Sequence, residues 1–374
     1  MRSPSKNRDS TAEIPAVCTI SARHYAGRIA GLTGGPVGDH ELHRPASAQR
    51  ASKRMSAIGC STQWGLVGDI GATNARFALV QPDGSMGFTR AILCRDFASL
   101  GEAIAAFLAE VPEAKPSSSV LAVAASPEGD TVSLTNLAWT FSIEGLRKAL
   151  GLTRLRIVND FHANALAIPH LGANELIKIG GGDSIAEAPI GVLGPGSGLG
   201  VGALVFTADG SVAVPGEGGH VTMAAADSRE AAVLEILRRR FGHVSAERVL
   251  SGPGLINLYG ALRTLAGAPA ASLTAEEISH PDARADDRFA REATEMFCAM
   301  LGTVAGNLAL TLGARGGIYI AGGIVPQLGD AFTQSAFRAR FEAKGRFQPY
   351  LAKIPTFVIT RPFAALLGAA SLLR

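Results

Sequence analysis

The chain has 374 residues, 47% of them hydrophobic and 18% charged, with a formal net charge of +3. That balance predicts a soluble globular chain of two domains, and so small and scattered a charge excludes a nucleic-acid surface. Four cysteines (Cys18, Cys60, Cys94, Cys298) stand far apart without a CxxC pair; this excludes a zinc knuckle or disulfide framework and fits a cytoplasmic location.

In chain order, residues 1–54 mix Ser, Arg, Pro and Gly without helical or strand period, and residues 1–63 are read as a disordered N-terminal extension. Asp9, Glu13, Asp39 and Glu41 count against a transit peptide, and Met55 is a candidate start. No secretory leader follows Met1, and no apolar run of membrane-spanning length is read.

Residues 65–80 read as strand, tight turn, strand, with the turn at Gly68, Asp69, Ile70, Gly71, Ala72 and Thr73. Small residues let backbone N–H groups converge on an anion, and Asp69 beside them suits a divalent cation placed between carboxylate and phosphate. A hairpin closed by an Asx-turn is the plainer alternative. Further on, residues 88–94 and 120–124 are predicted strands, residues 100–111 a helix, 131–134 a short strand and 143–150 a helix.

A β-branched strand over residues 155–158 ends in Asn159 and Asp160, and a helix follows to Ile168. In open α/β sheets ligands bind beyond the carboxyl ends of strands, so this pair faces a cleft; equally, Asp160 can serve as a helix cap. Residues 189–206 repeat the opening design around Gly194, Gly196, Ser197 and Gly198. Neither bend fits G-x-G-x-x-G, and no P-loop motif occurs. Glu217 and His220 lie in a glycine-rich loop whose glycines allow close approach to a ligand.

Residues 228–240 and 255–265 read as helices, 246–250 as a short helix carrying Glu247, and 272–287 as a polar exposed stretch. The longest helix spans 289–312, with Phe289, Met296, Phe297, Met300, Val304 and Leu308 on its core face. A buried strand then runs into Gly322 and Gly323, a pair able to receive a flat ring. Helix (330–342), strand (356–360) and helix (363–373) finish the chain.

Four stretches in register, Gly68 to Arg76, Asn159 to Phe161, Pro215 to His220 and His243 to Gly252, resemble the bacterial glucokinase family of the hexokinase/actin-like ATPase superfamily. The resemblance covers about residues 64–374. It implies an α/β fold, the two-domain actin-like ATPase (ribonuclease H-like) fold with a cleft between domains, each built on a mixed five-stranded sheet. The small domain would take residues 64–170 and the C-terminal helix 361–374, the large one residues 171–360.

By the same resemblance, ATP and D-glucose are the substrates, Mg²⁺ is the metal and a homodimer is the assembly. Asp160 is then the general base for the sugar 6-hydroxyl. Asn159, Glu217, His220 and Glu247 hold the other hydroxyls. The bends at Gly68–Thr73 and Gly194–Gly198 hold phosphates, Gly322 and Gly323 lie near adenine, and Asp69 acts through hydrated Mg²⁺. The family often has glycine where Ala72 stands, which requires a negative φ at that alanine. The zinc-binding cysteines of the related ROK sugar kinases are absent. A kinase of another hexose, a sugar-sensing protein without turnover and a chaperone-type ATPase are the alternatives.

Overall fold

The computed structural model describes residues 63–125, 129–134 and 137–373. Residues 1–62, with most of the predicted extension and Met55, lie outside the described residues. From β1 (Gly65–Ile70) the chain turns back through β2 (Asn74–Val80) and β3 (Met86–Leu93). It continues through α1 (Leu100–Ala109), β4 (Ser118–Val123), the hairpin β5 (Thr131–Ser133) and β6 (Thr140–Ser142), α2 (Ile143–Ala149), β7 (Arg154–Asn159) and α3 (Asp160–Ala167).

These strands form a sheet in the order β3-β2-β1-β4-β7, with β1, β4 and β7 parallel. The register sets Ile70, Val123 and Asn159 in one row, so three carboxyl ends open on the same edge. β4 is buried without alternation, as expected of a strand covered on both faces. α1 covers one face with Leu100, Ile104 and Phe107, the last against Phe77 at 5.4 Å between ring centroids. Ser99 caps α1 by accepting from the Glu102 N–H.

The second part comprises β8 (Leu176–Lys178), β9 (Ile190–Pro195), β10 (Leu199–Thr207), β11 (Gly210–Gly216), α4 (Ser228–Phe241), α5 (Gly252–Leu265), α6 (Arg288–Leu312), β12 (Gly317–Ile320), β13 (Thr356–Ile359) and α7 (Ala364–Ser371). Its sheet runs β11-β10-β9-β12-β13-β8, six strands where the sequence reading has five. The extra strand is β8, three residues held antiparallel to β13 and too short to carry a period.

Two further differences have local causes. The stretch over residues 272–287, read as polar and exposed, folds into helices Ala275–Ser279 and Pro281–Asp286. A Thr274–Glu277 capping box starts the first, and Ile278 is fully buried beneath it. The helix read over 330–342 is broken into Asp330–Thr333 and Phe337–Glu342, with the Ser335 hydroxyl bonding the Phe332 carbonyl in the gap. α6 is long and apolar enough to cross a membrane by length and composition. Its Phe297, Met300, Leu301 and Ala305 are nevertheless fully buried in the main core, the burial expected of a core helix.

α3 and α7 cross between the two sheets. A methyl added at Gly368 would lie 1.8 Å from the Ala163 carbonyl oxygen, so the backbones nearly touch. Ala163, Ala365, Leu366 and Ala369 pack with Val67, Val120 and Val158 of the first sheet. Phe161, Ala165, Ile168 and Ala364 pack with Val192 and Leu204 of the second. The crossing brings the end of β7 up against the start of β10.

Candidate active site

Asp69 sits one residue before the end of β1, opposite Arg76 of β2 in the antiparallel register. Arg76 Nη1 donates to Asp69 Oδ2 at 3.2 Å, and its guanidinium lies over the Phe363 ring, 5.4 Å from the centroid. Burial raises the Asp69 carboxyl above the ordinary range, and Arg76 opposes that. The following turn is closed by Gly71 N–H to the Asn74 carbonyl at 3.0 Å and braced by Cys94 N–H to the Thr73 carbonyl at 2.9 Å. Among the described residues only Glu187 and Phe363 hold positive φ outside glycine, so Ala72 satisfies the turn without strain.

Gly68 is explained by packing alone. It lies inside β1, where a methyl would meet Leu121 Cδ2 at 2.7 Å. Ile70 is buried beside it, while Gly71 and Ala72 are half-buried and Thr73 is exposed. The backbone of this bend is thus most exposed from Gly71 to Thr73, with the Asp69 side chain partly exposed beside it.

Asn159 and Asp160 share the α3 N-terminus with distinct tasks. Asn159 is the cap: its Oδ1 accepts from the N–H groups of Phe161 (2.8 Å) and His162 (3.2 Å). That leaves the Asn159 amide group as a donor. Asp160 Oδ1 accepts from the Phe161 N–H at 3.0 Å. Its carboxyl is lifted from 3.8 to about 7 by burial first, then by the charge of Asp69, with a smaller push from Glu217. A helix N-terminus stabilises a carboxylate by about 0.3–1 kcal/mol. A lift from 3.8 to about 7 corresponds to roughly 4 kcal/mol, so burial and like charge win.

The second bend joins β9 to β10. Gly194 is buried and Gly322 is exposed beside the bend; methyls there would strike the Ala321 and Pro195 carbonyl oxygens at 2.7 and 2.4 Å. Gly322 holds φ +83°, open to glycine and costly for other residues. Gly196 and Gly323 face open space, and Ser197 is exposed. Gly196 N–H donates to the Gly198 carbonyl, and Gly252 N–H ties the bend to α5 by donating to the Gly196 carbonyl, both at 2.8 Å.

Glu247 braces this bend from below. Its Oε2 accepts from the Leu199 N–H at 2.9 Å, and a methyl at Gly198 would come within 2.5 Å of the same oxygen. Glu217 and His220 follow β11, both well exposed, with His220 Nε2 3.9 Å from Glu217 Oε2. The glycines between them are required by the scaffold. Methyls at Gly218 and Gly219 would strike Val201 Cγ1 at 2.8 Å and the Leu199 carbonyl oxygen at 2.0 Å, so the loop lies close on β10. The loop is zipped to the Glu247 segment by Ala246 N–H to the Val221 carbonyl (2.9 Å) and Met223 N–H to the Val244 carbonyl (3.0 Å).

Asp69, Asp160 and Glu217 thus share one electrostatic neighbourhood, and Glu247 stands at the bend beside it. Beyond them lies an open groove of about 540 Å³ lined by Gly196, Ser197, Pro253, Ile256, Ala275 and Gln327, among others. The sequence reading names the two bend residues and misses the rest, since nothing in their local pattern marks them. Among the described residues no three His, Cys, Asp or Glu side chains gather as a metal cage. The donor set still fits Mg²⁺, which keeps several waters and needs one or two carboxylates together with phosphate oxygens.

With this geometry in view, the comparisons with known proteins are specific. A family model described as Glucokinase matches residues 66–374. A glucokinase of Aromatoleum aromaticum is 53% identical over 318 residues, covering 84% of this chain and 96% of that protein. One of Paramagnetospirillum magneticum is 52% identical over 313 residues, covering 83% and 98%. A crystal structure of glucokinase from an Antarctic psychrotroph superposes with TM-score 0.75 at 37% identity, covering 84% of this chain and 99% of that one. The two-sheet α/β architecture is that of the sugar kinases, and the chain belongs to the glucokinase family.

Proposed function

We propose that this chain transfers the γ-phosphoryl group of ATP to the 6-hydroxyl of D-glucose, with Asp160 as general base. Family membership supports the reaction. The observation that carries the residue assignment is the Asp160 carboxyl, held near 7 at the junction of the two sheets, within the field of Asp69 and Glu217. A base poised near neutrality accepts a hydroxyl proton as the oxygen attacks. Phosphoryl transfer otherwise demands positioning and neutralisation of phosphate charge.

In this reading the sugar is held by the Asn159 amide, Glu217, His220 and Glu247, and the phosphates by the Gly71–Thr73 and Gly196–Gly198 bends. The adenosine lies in the groove walled by Pro253, Ile256, Ala275 and Gln327, with Gly322 and Gly323 at its edge. Asp69 would hold hydrated Mg²⁺, which supplies charge neutralisation on the phosphates. Two lobes, residues 64–170 with 361–374 and residues 171–360, belong to the same reading. The family resemblance supports a homodimer, and the dispersed cysteines support a cytoplasmic setting.

A coupled assay of glucose 6-phosphate formation across a panel of hexoses and phosphoryl donors tests the reaction. Glucose with ATP is expected to give the highest kcat/KM; a higher value for another hexose would move the substrate assignment. The pH profile tests the base. Deprotonation activates Asp160, so kcat/KM for glucose should rise through an apparent pKa of about 7. Asp69→Asn removes a charge that raises that value and should shift the ascending limb to lower pH. A profile flat between about pH 6 and 8 would argue against a base of this kind.

A further inference from the structure

We propose that Phe161 is a positioning residue that sets the Asp160 carboxylate against the second glycine bend, its ring standing where side chains of Gly194 and Gly200 would be. The proposal rests on the reading of Asp160 as the base.

Two ends of one residue carry the argument. The Phe161 backbone N–H donates to both Asn159 Oδ1 and Asp160 Oδ1, at 2.8 and 3.0 Å, so its place orients the carboxylate. The residue is buried, at 7% exposure, and its side chain packs with Val192, Leu204 and Ala321. A methyl at Gly200 would lie 1.8 Å from Phe161 Cδ2 and 1.9 Å from Cε2, and one at Gly194 would lie 2.8 Å from Cζ. Gly202 also allows close approach, since a methyl there would stand 3.2 Å from the Phe161 carbonyl oxygen.

Gly194 and Gly200 flank the bend over residues 195–199, one on β9 and one on β10, and pair directly across the ladder. β7, which delivers Asp160, belongs to the other sheet. The ring therefore joins the base to the bend across the junction of the two sheets. No flexible side-chain end relieves a methyl at Gly200, because the atoms it meets are those of a packed ring. A displacement on the order of 1 Å at a reacting group can cost about 10²-fold in rate.

The test is a double-variant cycle on Gly200→Ala and Phe161→Leu, with kcat, both KM values and melting temperature measured for each. Each single variant is expected to lower kcat by about 10-fold or more, while KM for ATP stays within about 3-fold. In the double variant the smaller leucine leaves room for the methyl, and kcat should recover at least about 3-fold over Gly200→Ala. If Gly200→Ala does not fold, Phe161→Leu alone decides, with Phe161→Met as the conservative companion expected to retain more activity. Variants that melt earlier but keep wild-type kcat, or a double variant whose losses simply add, would overturn the proposal. Absence of glucose phosphorylation by the wild-type protein would instead overturn the reading of the base, before any variant is made.

Discussion

Asp160→Asn is expected to lower kcat by about 10²- to 10⁴-fold, with glucose still bound, because the carboxamide keeps the planar shape of the carboxylate and loses the proton acceptor. The capping alternative predicts otherwise, and the geometry separates the two. Asn159 already caps α3 through two backbone N–H groups, so the cap survives the change. A second readout of the same variant does not depend on turnover. The Asp160 pKa is raised from 3.8 to about 7 in the folded chain, so between those values the folded state holds more protons than the unfolded one. Stability contributed by this residue therefore falls as pH rises across that window, and the penalty is complete above it. Asparagine does not ionise. Asp160→Asn should melt higher than the wild-type protein at pH 8 and show no such gain at pH 4. Near wild-type turnover with no pH-dependent gain in melting temperature would remove Asp160 from the mechanism.

Glu217→Gln and His220→Ala should each raise KM for glucose by about 10-fold or more and leave KM for ATP within about 3-fold. Both side chains are exposed, and a bound polyol would take them out of water. A hydrogen bond to a charged group is worth about 1.5–3 kcal/mol, and a sugar site whose buried groups lose their partners discriminates strongly. Steady-state kinetics with one substrate varied at saturating concentrations of the other reads this directly. A selective rise in KM for ATP would move this loop to the nucleotide side.

Much of this site is legible in the linear chain because its residues cluster at strand ends. Asp69 before a small-residue turn and Asn159–Asp160 after a β-branched strand are local signals, and all three residues stand at the edge where β1 and β7 end. α6 is legible for the same reason, as a sustained apolar face. What the chain hides depends on partners far away in sequence. Gly200 reads as a bend or strand glycine until Phe161 is seen against it, 39 residues earlier in the chain. Gly218 and Gly219 read only as residues that allow close approach to a ligand until Leu199 and Val201 are seen behind them. The groove residues Ile256, Ala275 and Gln327 come from separate helices and carry no common pattern. Strand β8 and the break near Ser335 are too short for periodicity to register.

In the proposed reaction Asp160 takes a proton from one hydroxyl of glucose as that oxygen receives the phosphoryl group. ³¹P NMR of the product formed from ATP and glucose tests it most directly, with the phosphorus–proton coupling identifying the esterified carbon and 6-deoxyglucose as the paired control. The expected result is a phosphomonoester coupled to the two C6 protons, no ester from 6-deoxyglucose, and loss of the signal's growth in Asp160→Asn. An ester at another carbon, or undiminished formation by Asp160→Asn, would contradict it.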